Sequence, residues 1–213
     1  MSEETKLREA IVRFGRSMFE RRLTFGSSGN LSARLDDGGW LMTPTNVSLG
    51  NLDPARLTRL DANGKLVSGD APTKEKFLHI AMYQERAKAR GVVHLHATHS
   101  VAVSCLDGID EADVLPPITA YYVMRVGRLP LIPYFPPGDE TLADAVRARA
   151  GKHSAVLLAN HGPVVAGTSL EAAVNAVEEL EETARLYLML HGRKTRYLDA
   201  AAVEALRKKY PIE

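Results

Sequence analysis

Two apolar runs that each lead into histidine constrain this chain most: Gly91-Val-Val-His-Leu-His-Ala-Thr-His99 and Ala155-Val-Leu-Leu-Ala-Asn-His161-Gly162. Runs of this length and composition read as buried strands. Along an extended strand, side chains alternate faces, so His94 and His96 point the same way. Two imidazoles side by side at the end of an apolar run are well placed to grip one divalent metal, and His161 offers a third ligand. A lone histidine is usually structural, but a pair at strand period is hard to explain as packing. Three histidines leave a coordination position open, which separates a working metal from a structural one. The pattern predicts a metalloenzyme.

The rest of the chain supplies helices to cover those strands. Leu7, Ile11, Phe14, Met18 and Phe19 recur at helical spacing over 3–22, followed by a glycine- and serine-rich loop over 24–29. Segments at 31–35 and 40–43, split by Asp36-Asp-Gly-Gly39, read as a hairpin, and 56–60 with 65–67 repeat the pattern. Thr73 is a plausible N-cap for a helix running to about Arg90. A strand over 92–96 leads into a short helix over 98–106. Prolines 116, 117, 130, 133, 136 and 137 keep 115–138 in strands and turns. A helix is expected over 141–150, a strand over 155–159, and its continuation or partner over 162–166. Thr168-Ser-Leu-Glu171 has capping-box spacing and opens a helix to about His191; its Glu178–Glu182 run reads as a solvated face. A last helix falls over 200–209. Residues 1–213 are expected to form one domain, α/β (α+β) in class: a three-layer α/β/α sandwich around a mostly antiparallel sheet.

Bulk properties narrow the partners. The 213 residues carry a formal net charge of +1, which gives no argument for nucleic acid or an anionic membrane. A single cysteine, Cys105, excludes an internal disulfide and any thiolate-rich metal site. The first residues are polar and acidic, unlike a secretory signal, and no apolar run approaches the ~18 residues of a membrane span. The expectation is a cytoplasmic protein. Three loops look like anion holders: Gly26-Ser-Ser-Gly-Asn30, Thr43-Pro-Thr-Asn46 and Pro72-Thr-Lys-Glu75. Each alone makes an ordinary turn or cap. Beside a three-histidine site they suggest a phosphorylated substrate. His99 is read as a supporting or structural residue, His79 as packed or solvent-facing, and His153 and His191 as surface residues.

Gly29-Asn-Leu-Ser32, Thr43-Pro-Thr45, Pro72-Thr-Lys-Glu75, His94-Leu-His96 and Asn160-His-Gly162 occur in the order and spacing of the class II aldolase/adducin family. The resemblance covers nearly the whole chain. It implies a homotetramer with sites near subunit boundaries, and a divalent ion, Zn2+ or a close relative, on His94, His96 and His161. It implies that Glu75 acts as acid/base and can also ligate the metal. Asn30, Thr45, Asn46, Thr73 and Lys74 fall where relatives bind phosphate. Tyr121 or Tyr122 falls where aldolases place a proton-transferring phenol. Asn46 stands for a usual glycine and Lys74 for a usual serine. With Pro117-Ile-Thr-Ala-Tyr-Tyr-Val-Met124, these features look most like the 3-oxo-tetronate 4-phosphate decarboxylase branch. The expected reaction is loss of CO2 through a metal-stabilised enediolate, giving dihydroxyacetone phosphate. A sugar-phosphate aldolase or 4-epimerase is the nearest rival. An adducin-like scaffold is disfavoured because the metal positions are intact, and a metal-dependent hydrolase is a further alternative.

Overall fold

The computed structural model describes residues 2–136 and 138–212. An eight-stranded sheet organises them: β1 (Asn30–Arg34), β2 (Trp40–Met42), β3 (Thr58–Leu60), β4 (Leu66–Ser68), β5 (Gly91–His94), β6 (Leu131–Ile132), β7 (Ala155–Leu158) and β8 (Gly162–Gly167). Their order is β4-β3-β2-β1-β5-β8-β7-β6, and every pairing is antiparallel except β6 with β7. The helices are α1 (Glu3–Glu20), α2 (Lys76–Glu85), α3 (Thr98–Ser104), α4 (Ala120–Arg125), α5 (Leu142–Ala150), α6 (Leu170–Leu190) and α7 (Ala200–Lys209).

Strand alternation sorts the core into two layers. Leu31, Ala33, Leu41, Val93, Leu157 and Val165 pack with α1, α3, α4, α6 and α7 on one face. Trp40, Met42, Val92, Val156 and Val164 pack with α2 and α5 on the other. The expected three-layer α/β/α arrangement is present. Burying both faces of the central strands explains their uninterrupted apolar runs. None of the helices among the described residues is long and apolar enough to cross a membrane.

Several local expectations are corrected. The helix of 76–85 begins after Glu75, which occupies the N-cap position without a side-chain cap bond, and it stops well before Arg90. Thr73 instead turns the preceding loop, its Oγ1 accepting from Glu75 N at 3.3 Å. Strand β5 ends at His94 rather than 96, although Leu95 N still donates to Pro163 O at 3.3 Å and keeps the chain extended. The proline-rich stretch contains helix α4. Prolines flank residues 118–129 but do not enter them, and Thr119 caps the helix by accepting from Tyr122 N. The cap of α6 is Ser169, which accepts from Ala172 N at 3.0 Å; Thr168 lies one residue too early. Within the acidic run of α6, Glu181 is buried, 6% exposed, and no part of a solvated face.

Candidate metal and substrate site

The site forms where β1 and β5 leave the sheet beside the start of α2. Asn30 and His94 sit directly opposite each other in the antiparallel register. Residues 30, 32, 92 and 94 share one parity and face α2. His96 follows two residues on. Asn160, in the left-handed region at φ 55°, makes the tight turn between β7 and β8 that presents His161. Gly162 completes it: a Cβ there would lie 2.2 Å from Leu95 O, so no larger residue fits.

These elements bring together all four predicted metal ligands. One donor atom each from Glu75, His94, His96 and His161 lies within 4.8 Å of the others. His96 Nε2 is 3.1 Å from His94 Nε2 and 3.0 Å from His161 Nε2. The three rings stand at 68–86° to one another, so their nitrogens converge while the rings stay apart. Ligand bonds of ~2.0–2.1 Å in a tetrahedral site put neighbouring nitrogens a little over ~3 Å apart, close to these spacings. His94 Nδ1 lies 2.9 Å from Pro163 O. A carbonyl only accepts, so Nδ1 carries the hydrogen and Nε2 turns its lone pair to the centre.

The electrostatics suit a cation. Burial pushes His94 down to about 4 against the opposing charge of Glu75, and it lowers His96 as well. Both imidazoles are therefore neutral near pH 7, the form that ligates. Burial alone would raise Glu75, but His94, His161 and the Asn30 hydrogen bond outweigh it and hold the carboxyl well below the usual range. Glu75 Oε1 lies 3.1 Å from His161 Nε2, and Oε2 lies 3.5 Å from His94 Nε2. Three converging imidazoles with one carboxylate fit a divalent ion.

Two cavities meet at Glu75 and His96. One, of about 290 Å³, is polar and is lined by Ser28, Asn30, Thr45, Asn46, Thr73 and Lys74 among others. All five predicted phosphate-binding residues thus border one space. The backbone holds the loops in register there: Thr45 N donates to Ala71 O at 3.0 Å and Thr73 N to Thr43 O at 3.2 Å. Asn46 adopts φ 59°, a conformation asparagine tolerates better than most residues. The second cavity, about 510 Å³, is walled by Phe25, Val101, Tyr134 and Phe135 beside Glu75 and His161. No sequence motif marks those aromatic walls, since Phe25, Tyr134 and Phe135 come together only in the fold.

Neither predicted tyrosine lines these cavities. Tyr122 is buried, and its hydroxyl has no hydrogen-bond partner among the described residues. Tyr121 is 57% exposed on α4, with Arg125 against its ring. His99 lies outside the metal cluster, its Nδ1 2.8 Å from Glu181 Oε1. His79, read as packed or solvent-facing, is fully buried and hydrogen-bonded to Asn30 and Ser32. Its spacing gave a usable signal. Glu75, His79 and Tyr83 recur every four residues, and Asn30 and Ser32 every two, so one helix face meets one strand face.

Residues 9–188 match the model of the Class II Aldolase and Adducin N-terminal domain. The chain is 50% identical over 204 residues to the 3-oxo-tetronate 4-phosphate decarboxylase of Escherichia coli K12, covering 96% of each. It is 34% identical over 190 residues to an L-fuculose phosphate aldolase of Escherichia coli, covering 87% of this chain and 84% of the aldolase. The crystal structure of Escherichia coli YgbL superposes with a TM-score of 0.95 at 48% identity, over 97% of this chain and 100% of that one. The chain thus belongs to the class II aldolase and adducin family.

Proposed function

We propose that this chain is a divalent-metal-dependent carboxy-lyase that converts a 3-oxo-tetronate 4-phosphate to dihydroxyacetone phosphate and CO2. The observation that carries the reading is the half-identity to a decarboxylase across nearly all of both chains, against one third for the aldolase. The site's chemistry agrees. Glu75, His94, His96 and His161 would hold the ion, for which zinc suits the imidazole-rich set. When bound, it supplies a Lewis acid for the charge that develops on the C3 oxygen as the C1–C2 bond breaks.

The chain's own residues supply the rest. Ser28, Thr45, Asn46 and Thr73 border the cavity that would take the phosphate, with Lys74 adding a full positive charge. Glu75 lies on the boundary between both cavities, where its carboxylate can relay a proton from solvent to C2 once CO2 has left. Lys74 is assigned to choosing acid phosphates over neutral sugar phosphates. A carboxylate gains from that lysine in the ground state and loses the gain as CO2 departs, so the effect falls on selection more than on rate. Tyr121, exposed on α4, is assigned to the site of a neighbouring copy in a homotetramer. Exposed Phe25 and Tyr134, 60% and 59%, support such an assembly because they border the site's open apolar cavity. The substrate's charge keeps it from crossing a membrane unaided, and we place the reaction in the cytoplasm.

A coupled assay tests the reading. A sugar-acid kinase and an oxidised tetronate would generate the substrate in place, with CO2 and dihydroxyacetone phosphate as readouts and an EDTA-stripped control. Metal-dependent release of both is the expected result. Cleavage of a sugar phosphate to an aldehyde without CO2 would make the protein an aldolase instead.

A further inference from the structure

A chain of buried hydrogen bonds runs from Glu75 into the core, away from the histidine cluster. Asn30 Nδ2 donates to Glu75 Oε2 at 2.7 Å. Beyond it, His79 Nε2 lies 2.5 Å from Asn30 Oδ1, Ser32 Oγ 2.7 Å from His79 Nδ1, and Tyr83 OH 2.9 Å from Ser32 Oγ. Asn30, Ser32, His79 and Tyr83 are each 0–4% exposed.

Each link fixes the direction of the next. A carboxylate only accepts, so the asparagine must turn its NH2 toward Glu75. Its Oδ1 then faces His79 and can only accept, so Nε2 carries the imidazole hydrogen. Burial, with His94 nearby, pushes His79 down to about 3 and keeps it neutral. Nδ1 therefore offers a lone pair and takes the Ser32 hydroxyl hydrogen, leaving the Ser32 oxygen to accept from Tyr83. Burial raises Tyr83 well above its ordinary value and keeps that phenol a donor. The far end is anchored: the Tyr83 ring stacks on Trp40, with centroids 6.2 Å apart, and Arg34 lies 4.8 Å over it. Reversing the asparagine would set Oδ1 against the carboxylate and strand buried donors and acceptors without partners. Apolar side chains would fill the same space between β1 and α2 without needing partners. They would leave the asparagine free to turn.

We propose that His79, Ser32 and Tyr83 are positioning residues, a one-directional chain that locks the Asn30 amide with its NH2 on Glu75 and so fixes the site's carboxylate. The proposal rests on Glu75 being the working carboxylate of the proposed lyase, and is independent of which acid phosphate it consumes.

The first test needs no substrate. Long-range 1H–15N spectra of the full chain labelled with 15N-histidine, metal-free and metal-loaded, report the tautomer; the His79 signals are those that His79→Gln removes. The Nε2–H tautomer, unchanged from pH 5 to 8, is expected. An Nδ1–H tautomer or a mixture overturns the proposal. The second test compares His79→Leu with His79→Gln, whose amide can still donate to Asn30. The leucine variant should lose about 10–100-fold in kcat, the range for groups that orient metal-site ligands, with KM changed by less than about 3-fold. The glutamine variant should recover most of that loss. Equal loss in both, or loss in KM alone, overturns it. A wild-type protein that decarboxylates nothing would sink the functional reading, while the tautomer would still decide this one.

Discussion

Lys74 and His96 both border the polar cavity, yet substitution should separate their roles. Lys74 is exposed and has no ion-pair partner among the described residues, so Lys74→Ser removes a charge without unsettling the core. A charged hydrogen bond to substrate is worth about 1.5–3 kcal/mol, so KM for the acid phosphate should rise about 10–100-fold while kcat changes by less than about 3-fold. Steady-state kinetics on the metal-loaded enzyme decide it; an unchanged KM would remove Lys74 from substrate selection. His96→Ala acts at the ion. His96 Nε2 lies within 3.1 Å of the other two ligand nitrogens, so its loss leaves an incomplete set. Bound metal, read by elemental analysis after dialysis, should fall from about one per chain toward zero, with activity down by more than about 100-fold. A variant that keeps its metal would take His96 out of the ligand set.

At the scale of elements, α3 depends on α6. Glu181 Oε1 accepts from His99 N and Oε2 from Ser100 N, both at 2.8 Å, and Ser100 Oγ adds a bond of 2.6 Å. One carboxylate from a distant helix thus satisfies the first turn of the helix that follows His96. Glu181→Ala leaves those buried donors unmet and should cost about 2–4 kcal/mol of unfolding free energy. Glu182→Ala, at a half-exposed side chain paired among the described residues with Arg185, should cost less than about 0.5 kcal/mol. Denaturant titration of both separates the two. The pair also marks where sequence reading stops. Strand runs, turns and the histidine pair are local patterns, legible from the alternation of 92–96 and the turns at 36–39 and 61–64. Glu181 stands four residues after Val177 and seven after Val174, on the buried face of α6, but the donors it meets belong to an element about 80 residues away, which no local pattern names. The same limit hid α4, because proline counts over 115–138 say nothing of the proline-free window between them. Legibility of the site followed the same rule. The ligands and anion loops are short motifs, whereas the walls Phe25, Tyr134 and Phe135 are assembled by the fold.

For the whole molecule, the site makes stability depend on pH. In the metal-free chain, burial holds His79 at about 3 and His94 at about 4, and His96 also below its ordinary value. Unfolding returns each to near 6.5. As pH falls from 7.5 toward 5.5, the unfolded chain takes up protons that the folded chain refuses. A depressed folded value thus confers stability that is present above the unfolded value and lost on acidification. Each histidine adds up to about 1.4 kcal/mol per pH unit once its unfolded form titrates fully. Glu75, also held low, pulls the same way only nearer the carboxylate range, and Asp113, raised by burial, opposes it there. The window above pH 5.5 therefore isolates the histidines. Unfolding free energies of the metal-free chain at pH 5.5, 6.5 and 7.5 should fall with acid, with a slope that steepens below 6.5. Replacing His79 by glutamine should remove about one proton from that slope. Metal at a hundred times its dissociation constant should add about 2.7 kcal/mol at pH 7.5, because it binds the folded, neutral imidazoles. That increment should shrink as pH falls, since the protons then compete for the same nitrogens. A flat profile, or one that His79→Gln leaves unaltered, would mean that these imidazoles are not kept neutral by the fold.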